Sequence, residues 1–122
     1  YDKALEDHQK SLAIQIKQLG ADHPDAAISY NNIGRVHRNK GEYDKALEYY
    51  QKALAIQLKQ LGPGHPDVAT SYNNMALVYY AKKDLAKAKE YLEKAYTIRL
   101  KKLGPNHPNT KTAKAGLDFL NK

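Results

Sequence analysis

Apolar residues recur at spacings of three and four along most of the 122-residue chain, which is the pattern of amphipathic helices. The clearest apolar stripe consists of Tyr43, Ala46, Leu47, Tyr50, Ala53, Leu54, Leu58 and Leu61. The pattern is interrupted at LG, where glycine favours a helix end, and at HP, where proline favours a helix start. It predicts six helices, at about 1–19, 25–39, 43–61, 67–82, 84–103 and 109–121.

The predicted helices belong to a repeat of 42 residues. His23 recurs as His65 and His107, and 26 of the first 42 positions are unchanged in the second unit. One helix pair cannot bury its apolar faces alone, whereas stacked pairs can. The repeat therefore predicts an all-α solenoid that forms a single domain, 1–122, with units at 1–42, 43–84 and 85–122. It starts on a long helix and ends on a short one, and the lack of an initial methionine suggests a fragment.

The segment 29–54 resembles the tetratricopeptide repeat. Its signature positions are occupied by Tyr30, Ile33, Gly34, His37, Tyr43, Ala46, Tyr50 and Ala53. The 42-residue period, with its LG, HPD and SYNN motifs, is similar to the kinesin light chain variety, and the resemblance covers essentially the whole chain. It implies a right-handed superhelix of antiparallel helix pairs, with shorter helices lining a concave groove. Family members mostly bind extended peptides there and have no catalytic site.

Two adjacent asparagines stand inside each of the first two shorter helices, at 31–32 and 73–74. Asparagine costs roughly 0.5 kcal/mol relative to alanine inside a helix, so its repetition needs a reason. Helical periodicity places Asn32 and Asn74 off the core stripe, on the side of the groove. An amide can pair with both the C=O and the N–H of an extended peptide, as related groove binders do from this position. Hydrogen bonds between neighbouring helices are the alternative, which is favoured for Asn31 and Asn73.

The predicted peptide contacts include the neighbours of these asparagines on the same helix faces. They are Asn32, Asn74, Arg35, Arg38, Asn39, Thr70, Leu77 and Tyr80. Arg35 and Arg38 make the first shorter helix basic, which suits an acidic peptide; solvated surface arginines are the alternative.

The net charge of +7 is concentrated in residues 85–122, which carry nine basic and three acidic residues. This excess would suit nucleic acid or an acidic protein. The lysines are scattered around two helices without aromatic platforms between them, so a solubilising terminal cap is favoured over a nucleic-acid site.

No catalytic or metal site is predicted, and no cofactor is expected. The chain has no cysteine, and histidines on stacked repeats 42 residues apart cannot converge on one ion. It has no glycine-rich phosphate loop and no apolar run long enough to cross a membrane. A cytoplasmic, non-enzymatic interaction module is therefore expected.

Self-assembly is the structural alternative to peptide binding. We expect a monomer in dilute solution and head-to-tail stacking at high concentration. The first helix should be the exposed end, because its Ala4, Leu5, Leu12 and Ile16 lack a covering layer. The last helix should act as a polar cap through Lys111, Lys114 and Asp118.

Overall fold

A computed structural model describes residues 2–19 and 23–121, which form six α-helices. They are α1 (Asp2–Leu19), α2 (Pro24–Asn39), α3 (Tyr43–Leu61), α4 (Pro66–Ala81), α5 (Leu85–Leu103) and α6 (Pro108–Leu120). Each predicted helix is present, and the bounds differ by one residue at most within the described part of the chain. Tyr1 lies outside the described residues.

A histidine caps the N-terminus of each shorter helix. The Nδ1 atoms of His23, His65 and His107 accept the backbone N–H of the residue two positions later, at 3.1, 3.0 and 3.0 Å. This satisfies one of the amide donors that the first turn of a helix leaves without a partner. Proline follows each histidine as the first helical residue, where its missing N–H costs nothing. The recurring HP motif is therefore a helix start.

The chain divides into two compact units, Tyr1–Gln60 and Leu61–Lys122. In the first unit, α1 and α3 both pack against α2. Its buried core consists of Leu12, Ala26, Ala27, Ile33, Ala53 and Ile56, with Leu5, Ile16, Tyr30 and Tyr49 packed against it.

The prediction that Leu12 lacks a covering layer is wrong. Leu12 is only 9% exposed, and it belongs to the core that α1 shares with α2. Leu5 and Ile16 are half-buried against the same core, because they lie on the face of α1 that α2 covers. Among the described side chains of α1, the large apolar residue that is exposed is Ile14, at 56%.

In the second unit, α5 packs against both α4 and α6. One buried cluster of this unit consists of Ala76, Leu92, Ala113 and Leu117, with Tyr91, Tyr96 and Leu120 packed against it. The side chain of Arg99 is also buried, and its Nη1 donates to the backbone carbonyl of Asn109 at 3.4 Å. Burial lowers the pKa of Arg99, because the charged form loses solvation.

Aromatic rings meet where α2 packs against α3 and where α4 packs against α5; we refer to these two helix contacts as the α2–α3 seam and the α4–α5 seam. Between α2 and α3, the ring of Tyr49 lies 6.1 Å from that of Tyr30 and stacks on that of His37 at 5.3 Å. The ammonium group of Lys52 lies over both tyrosine rings. The α4–α5 seam repeats this arrangement with Tyr72, Tyr79, Tyr91 and Lys94.

Lys83 has left-handed backbone geometry, with φ of +66° in the exposed turn between α4 and α5. The equivalent residue of the α2–α3 turn is Gly41, with φ of +80°. A side chain in this region costs roughly 1–2 kcal/mol, which the greater freedom of unfolded glycine only partly offsets. We expect Lys83→Gly to raise the free energy of unfolding by about 1 kcal/mol in urea titrations. Lys82→Gly is the matched control, since Lys82 has an ordinary φ of −77° and should gain nothing.

Candidate functional site

The second unit contains a cavity of about 490 Å³ between α4 and α6, with α5 as its floor. It is lined by Asn73, Ala76, Leu77, Tyr80, Ala88, Leu92, Thr112, Gly116, Phe119 and Leu120. We refer to it as the α4–α6 cavity. Its lining is almost wholly apolar, and small residues on all three helices leave the space open.

Gly116 keeps α6 close to the floor of the cavity. A Cβ atom at this position would lie 2.7 Å from Cδ2 of Leu92, inside van der Waals contact. Gly116 stands 42 residues after Asn74, so the third repeat has no side chain where the first two have an asparagine.

Large apolar side chains at the rim of the α4–α6 cavity are open to solvent. Leu77 is 46% exposed, Tyr80 45% and Phe119 58%. The rings of Tyr80 and Phe119 meet edge to face, with centroids 6.1 Å apart. Exposed apolar side chains around a concave apolar surface are typical of a binding site.

Sequence reasoning selected Leu77 and Tyr80 and missed Phe119. Phe119 stands 42 residues after Leu77, so the repeat register was a signal that could have found it. Asn73 also lines the cavity, although the sequence favoured a place between helices for it. Asn73, Leu77 and Tyr80 share one face of α4 because their spacing is four and three residues.

Thr70 and Asn74 lie beside this face of α4 and do not line the α4–α6 cavity. Thr70 is exposed, and its hydroxyl donates to the carbonyl of Pro66 at 3.4 Å. Asn74 is half-buried.

In the first unit, the predicted contacts all lie on α2. Arg35 and Asn39 are exposed, whereas Asn32 and Arg38 are half-buried. Burial raises the pKa of Tyr50, and the positive charges of Arg38 and Arg35 partly oppose this rise. The two arginines therefore create a positive potential at this part of α2.

Four histidines, His23, His37, His65 and His107, have structural partners. His23, His65 and His107 use Nδ1 for helix capping, and His37 stacks on Tyr49 with its Nδ1 3.0 Å from Oε1 of Glu42. This hydrogen bond is the main cause of a lowered pKa at Glu42, helped by Lys40 and Lys45. Within residues 2–19 and 23–121, no three acidic, histidine or cysteine side chains gather as metal ligands.

The basic residues of the last repeat are not all free to bind a polyanion. Arg99 is buried, and the ammonium groups of Lys87 and Lys94 lie over tyrosine rings of the α4–α5 seam. Fewer cationic side chains of α5 are therefore available to bind a polyanion. Among the described helices, none is both long and apolar enough to span a membrane.

Known structures that resemble this chain are longer repeat proteins. A protein of Podosopora anserina described as a candidate kinesin light chain with nearly identical TPR-like repeats is 29% identical, with a TM-score of 0.86. The match covers 98% of this chain and 56% of that one. BtubC (BKLC) from P. vanneervenii is 26% identical with a TM-score of 0.89, over 98% of this chain and 48% of that one. The chain thus spans about half the length of these relatives.

A search of curated proteins gave no significant match. The tetratricopeptide repeat family matches residues 1–59, 25–101 and 67–117, so that nearly the whole chain is covered. The period, the six helices and the similar structures agree with this match and confirm the all-α solenoid class. The chain therefore belongs to the tetratricopeptide repeat family and is of the kinesin light chain-like type.

Proposed function

We propose that this chain is a non-catalytic module that binds an extended segment of a partner protein. Tetratricopeptide repeats generally mediate protein–protein interaction or scaffolding. The main observation in favour of peptide binding is the α4–α6 cavity, with Leu77, Tyr80 and Phe119 exposed at its rim. A cavity of about 490 Å³ is large enough for one bulky apolar side chain of a peptide.

Asn32 and Asn74 are proposed to hold the backbone of the bound segment. They occupy the same register position in two repeats, and each has an amide that can both donate and accept. Contacts to the peptide backbone recognise an extended conformation without requiring a sequence. The apolar cavity would then supply the preference for a particular side chain.

Arg35 and Arg38 favour a partner segment that contains acidic residues. Both lie on α2 with Asn32 and Asn39, and their charge reaches as far as the buried Tyr50. Opposite charge on the peptide would raise the association rate and discriminate against basic segments.

A peptide array probed with the purified chain would identify a ligand, and the double variant Asn32→Ala/Asn74→Ala would test the backbone contacts. We expect affinity for the selected peptide to fall by about tenfold or more, since two hydrogen-bonding groups are lost. Circular dichroism should show unchanged helix content.

Asn106→Ala is the matched control, because Asn106 is exposed in the turn between α5 and α6. Its affinity should equal that of the parent chain. Unchanged affinity in the double variant would show that Asn32 and Asn74 do not contact the peptide.

A further inference from the structure

One pair of contacting positions differs between the α2–α3 seam and the α4–α5 seam. In the first unit the pair is Gly34 and Tyr50, and a Cβ atom at Gly34 would lie 2.7 Å from Cε1 of the buried Tyr50 ring. The 42-residue register places Ala76 and Leu92 at the same positions of the second unit. The second unit therefore has a methyl group and a leucine where the first unit packs a tyrosine ring against a glycine.

Ala76 and Leu92 both line the α4–α6 cavity. Leucine lacks a ring, and the Cδ2 atom of Leu92 lies against α6, 2.7 Å from the point that a Cβ of Gly116 would occupy. The ring of Tyr50, in contrast, lies against its own shorter helix, α2. By this comparison, the space beside Ala76 that a ring carried by residue 92 would fill is left open, and it forms part of the cavity.

The cavity opens to solvent on a face that all three shorter helices expose. Arg35, Leu77 and Phe119 stand 42 residues apart on α2, α4 and α6, and each of them is exposed. Leu77 is 46% exposed although α5 packs against α4, so packing by a long helix does not cover this face. A side chain of a bound segment can therefore reach Ala76 and Leu92 from this side.

The lining of the cavity suits an uncharged aromatic ring. Within the described residues none of the lining side chains is charged, so a charged group would lose its solvation there without meeting an opposite charge. Tyr80 and Phe119 already meet edge to face at the rim, and a third ring can continue this arrangement. Apolar cavities in proteins take up aromatic molecules such as benzene, and about 490 Å³ is enough for a phenol or a larger ring.

We propose that Ala76 and Leu92 determine the specificity of the α4–α6 cavity, which takes one aromatic side chain of the bound segment. The partner's ring occupies in the second unit the place that the ring of Tyr50 occupies in the first. Entry of this ring rests on the peptide binding proposed above, whereas the role of Ala76 and Leu92 can be tested without a peptide.

A small-molecule probe tests the cavity by itself. p-Cresol has the ring and hydroxyl of a tyrosine side chain, and 4-methylcyclohexanol has the same heavy atoms around a saturated ring. In methyl NMR of the isotope-labelled 122-residue chain, p-cresol should shift the signals of Ala76, Leu77 and Leu92 and leave that of Leu58, which is exposed on α3, in place. The saturated probe should bind about threefold more weakly or less, because it cannot meet the rings of Tyr80 and Phe119 edge to face. Equal binding of the two probes, or no shift at these three residues, would overturn the proposal.

Introducing the pair of the first unit into the second tests the role of Ala76 and Leu92. In the double variant Ala76→Gly/Leu92→Tyr the chain's own ring should fill the space, so the affinity for p-cresol should fall by about tenfold or more. Circular dichroism should show unchanged helix content, because a glycine and a tyrosine already pack in this way at the α2–α3 seam. Leu92→Phe adds a ring and keeps Ala76, and it should also weaken p-cresol binding.

The matched control is Ala86→Gly/Glu93→Tyr, which places the same two residue types at exposed sites of α5 outside the cavity. This variant should bind p-cresol as the parent chain does. Unchanged affinity for p-cresol in both Ala76→Gly/Leu92→Tyr and Leu92→Phe would overturn the assignment of the pair.

Peptides then separate the specificity of the cavity from peptide binding as such. The residue of the array-selected peptide that enters the cavity should be aromatic, and its replacement by leucine should lower affinity for the parent chain by about tenfold. The double variant Ala76→Gly/Leu92→Tyr should bind the aromatic and the leucine peptide equally. A peptide that binds best with leucine would overturn the aromatic specificity and leave the proposed function standing. Shifts of Leu77 and Leu92 by p-cresol, with no peptide bound from the array, would support the specificity of the cavity and contradict the proposed function.

Discussion

Replacing Tyr50 by alanine is expected to lower the free energy of unfolding by about 3–5 kcal/mol. The ring is fully buried, and it fills the space that Gly34 leaves in α2, where a Cβ would lie 2.7 Å from Cε1 of the ring. Alanine would leave a cavity between α2 and α3 that their rigid backbones could close only in part. Urea unfolding followed by circular dichroism measures the loss.

Tyr50→Phe is the matched control, and it should not destabilise the chain. Among the described residues, the buried Tyr50 hydroxyl has no hydrogen-bond partner, so its removal should relieve a desolvation cost. Burial also raises the pKa of Tyr50 above its ordinary value of 10.0, because the folded state favours the neutral phenol. This contribution to the free energy of unfolding is fully present below pH 10.0 and decreases as the pH rises above that value. Tyr50→Phe should remove this part of the alkaline loss. Equal destabilisation by Tyr50→Ala and Tyr50→Phe would show that packing of the ring does not stabilise the contact between α2 and α3.

Removing the aromatic rim of the α4–α6 cavity is expected to abolish most of the proposed peptide binding. Phe119→Ala and Tyr80→Ala should each reduce affinity by about thirtyfold, the size expected of a central aromatic contact. Both side chains are largely exposed in the free chain, so their loss should cost little stability. Isothermal titration with the array-selected peptide measures the affinity, and thermal unfolding checks the fold.

Leu100→Ala is the control for this pair, because Leu100 is a partly exposed apolar residue of α5 that does not line the cavity. It should leave affinity unchanged. A peptide whose bulky side chain is replaced by alanine should bind the parent chain weakly. The same peptide should bind the Phe119→Ala variant with about the same weak affinity, because the two changes remove one contact. If the losses of binding free energy from the peptide change and from Phe119→Ala add, the peptide side chain binds outside the α4–α6 cavity.

The fold could be predicted from the sequence because every level of the pattern agrees. Apolar spacing gives the helices, the 42-residue register joins them in pairs, and glycine and proline place their ends. Gly62 and Gly104 have the positive φ that their position after a leucine predicted, whereas Gly20 lies outside the described residues. The helix capping by His65 could not be anticipated, since histidine is an unusual capping residue.

The candidate site was only partly predictable. Helical periodicity places Leu77 and Tyr80 on an exposed face, but a cavity depends on how three helices meet. The close approach of α6 to Leu92 requires the absence of a side chain at Gly116, and the rim of the cavity needs Phe119 from another helix. The same limit explains Leu12, whose burial depends on which face of α1 the neighbouring helix covers.

We propose that the chain binds a partner segment through Asn32, Asn74 and the α4–α6 cavity. Amide NMR of the isotope-labelled chain, titrated with the array-selected peptide, tests this binding mode. We expect shifts of the side-chain amides of Asn32 and Asn74 and of the backbone signals of Leu77, Tyr80 and Phe119. Signals of Gln51, Glu93 and Thr97, which are exposed on the long helices, should stay in place. Shifts confined to Gln51, Glu93 and Thr97 would contradict this binding mode.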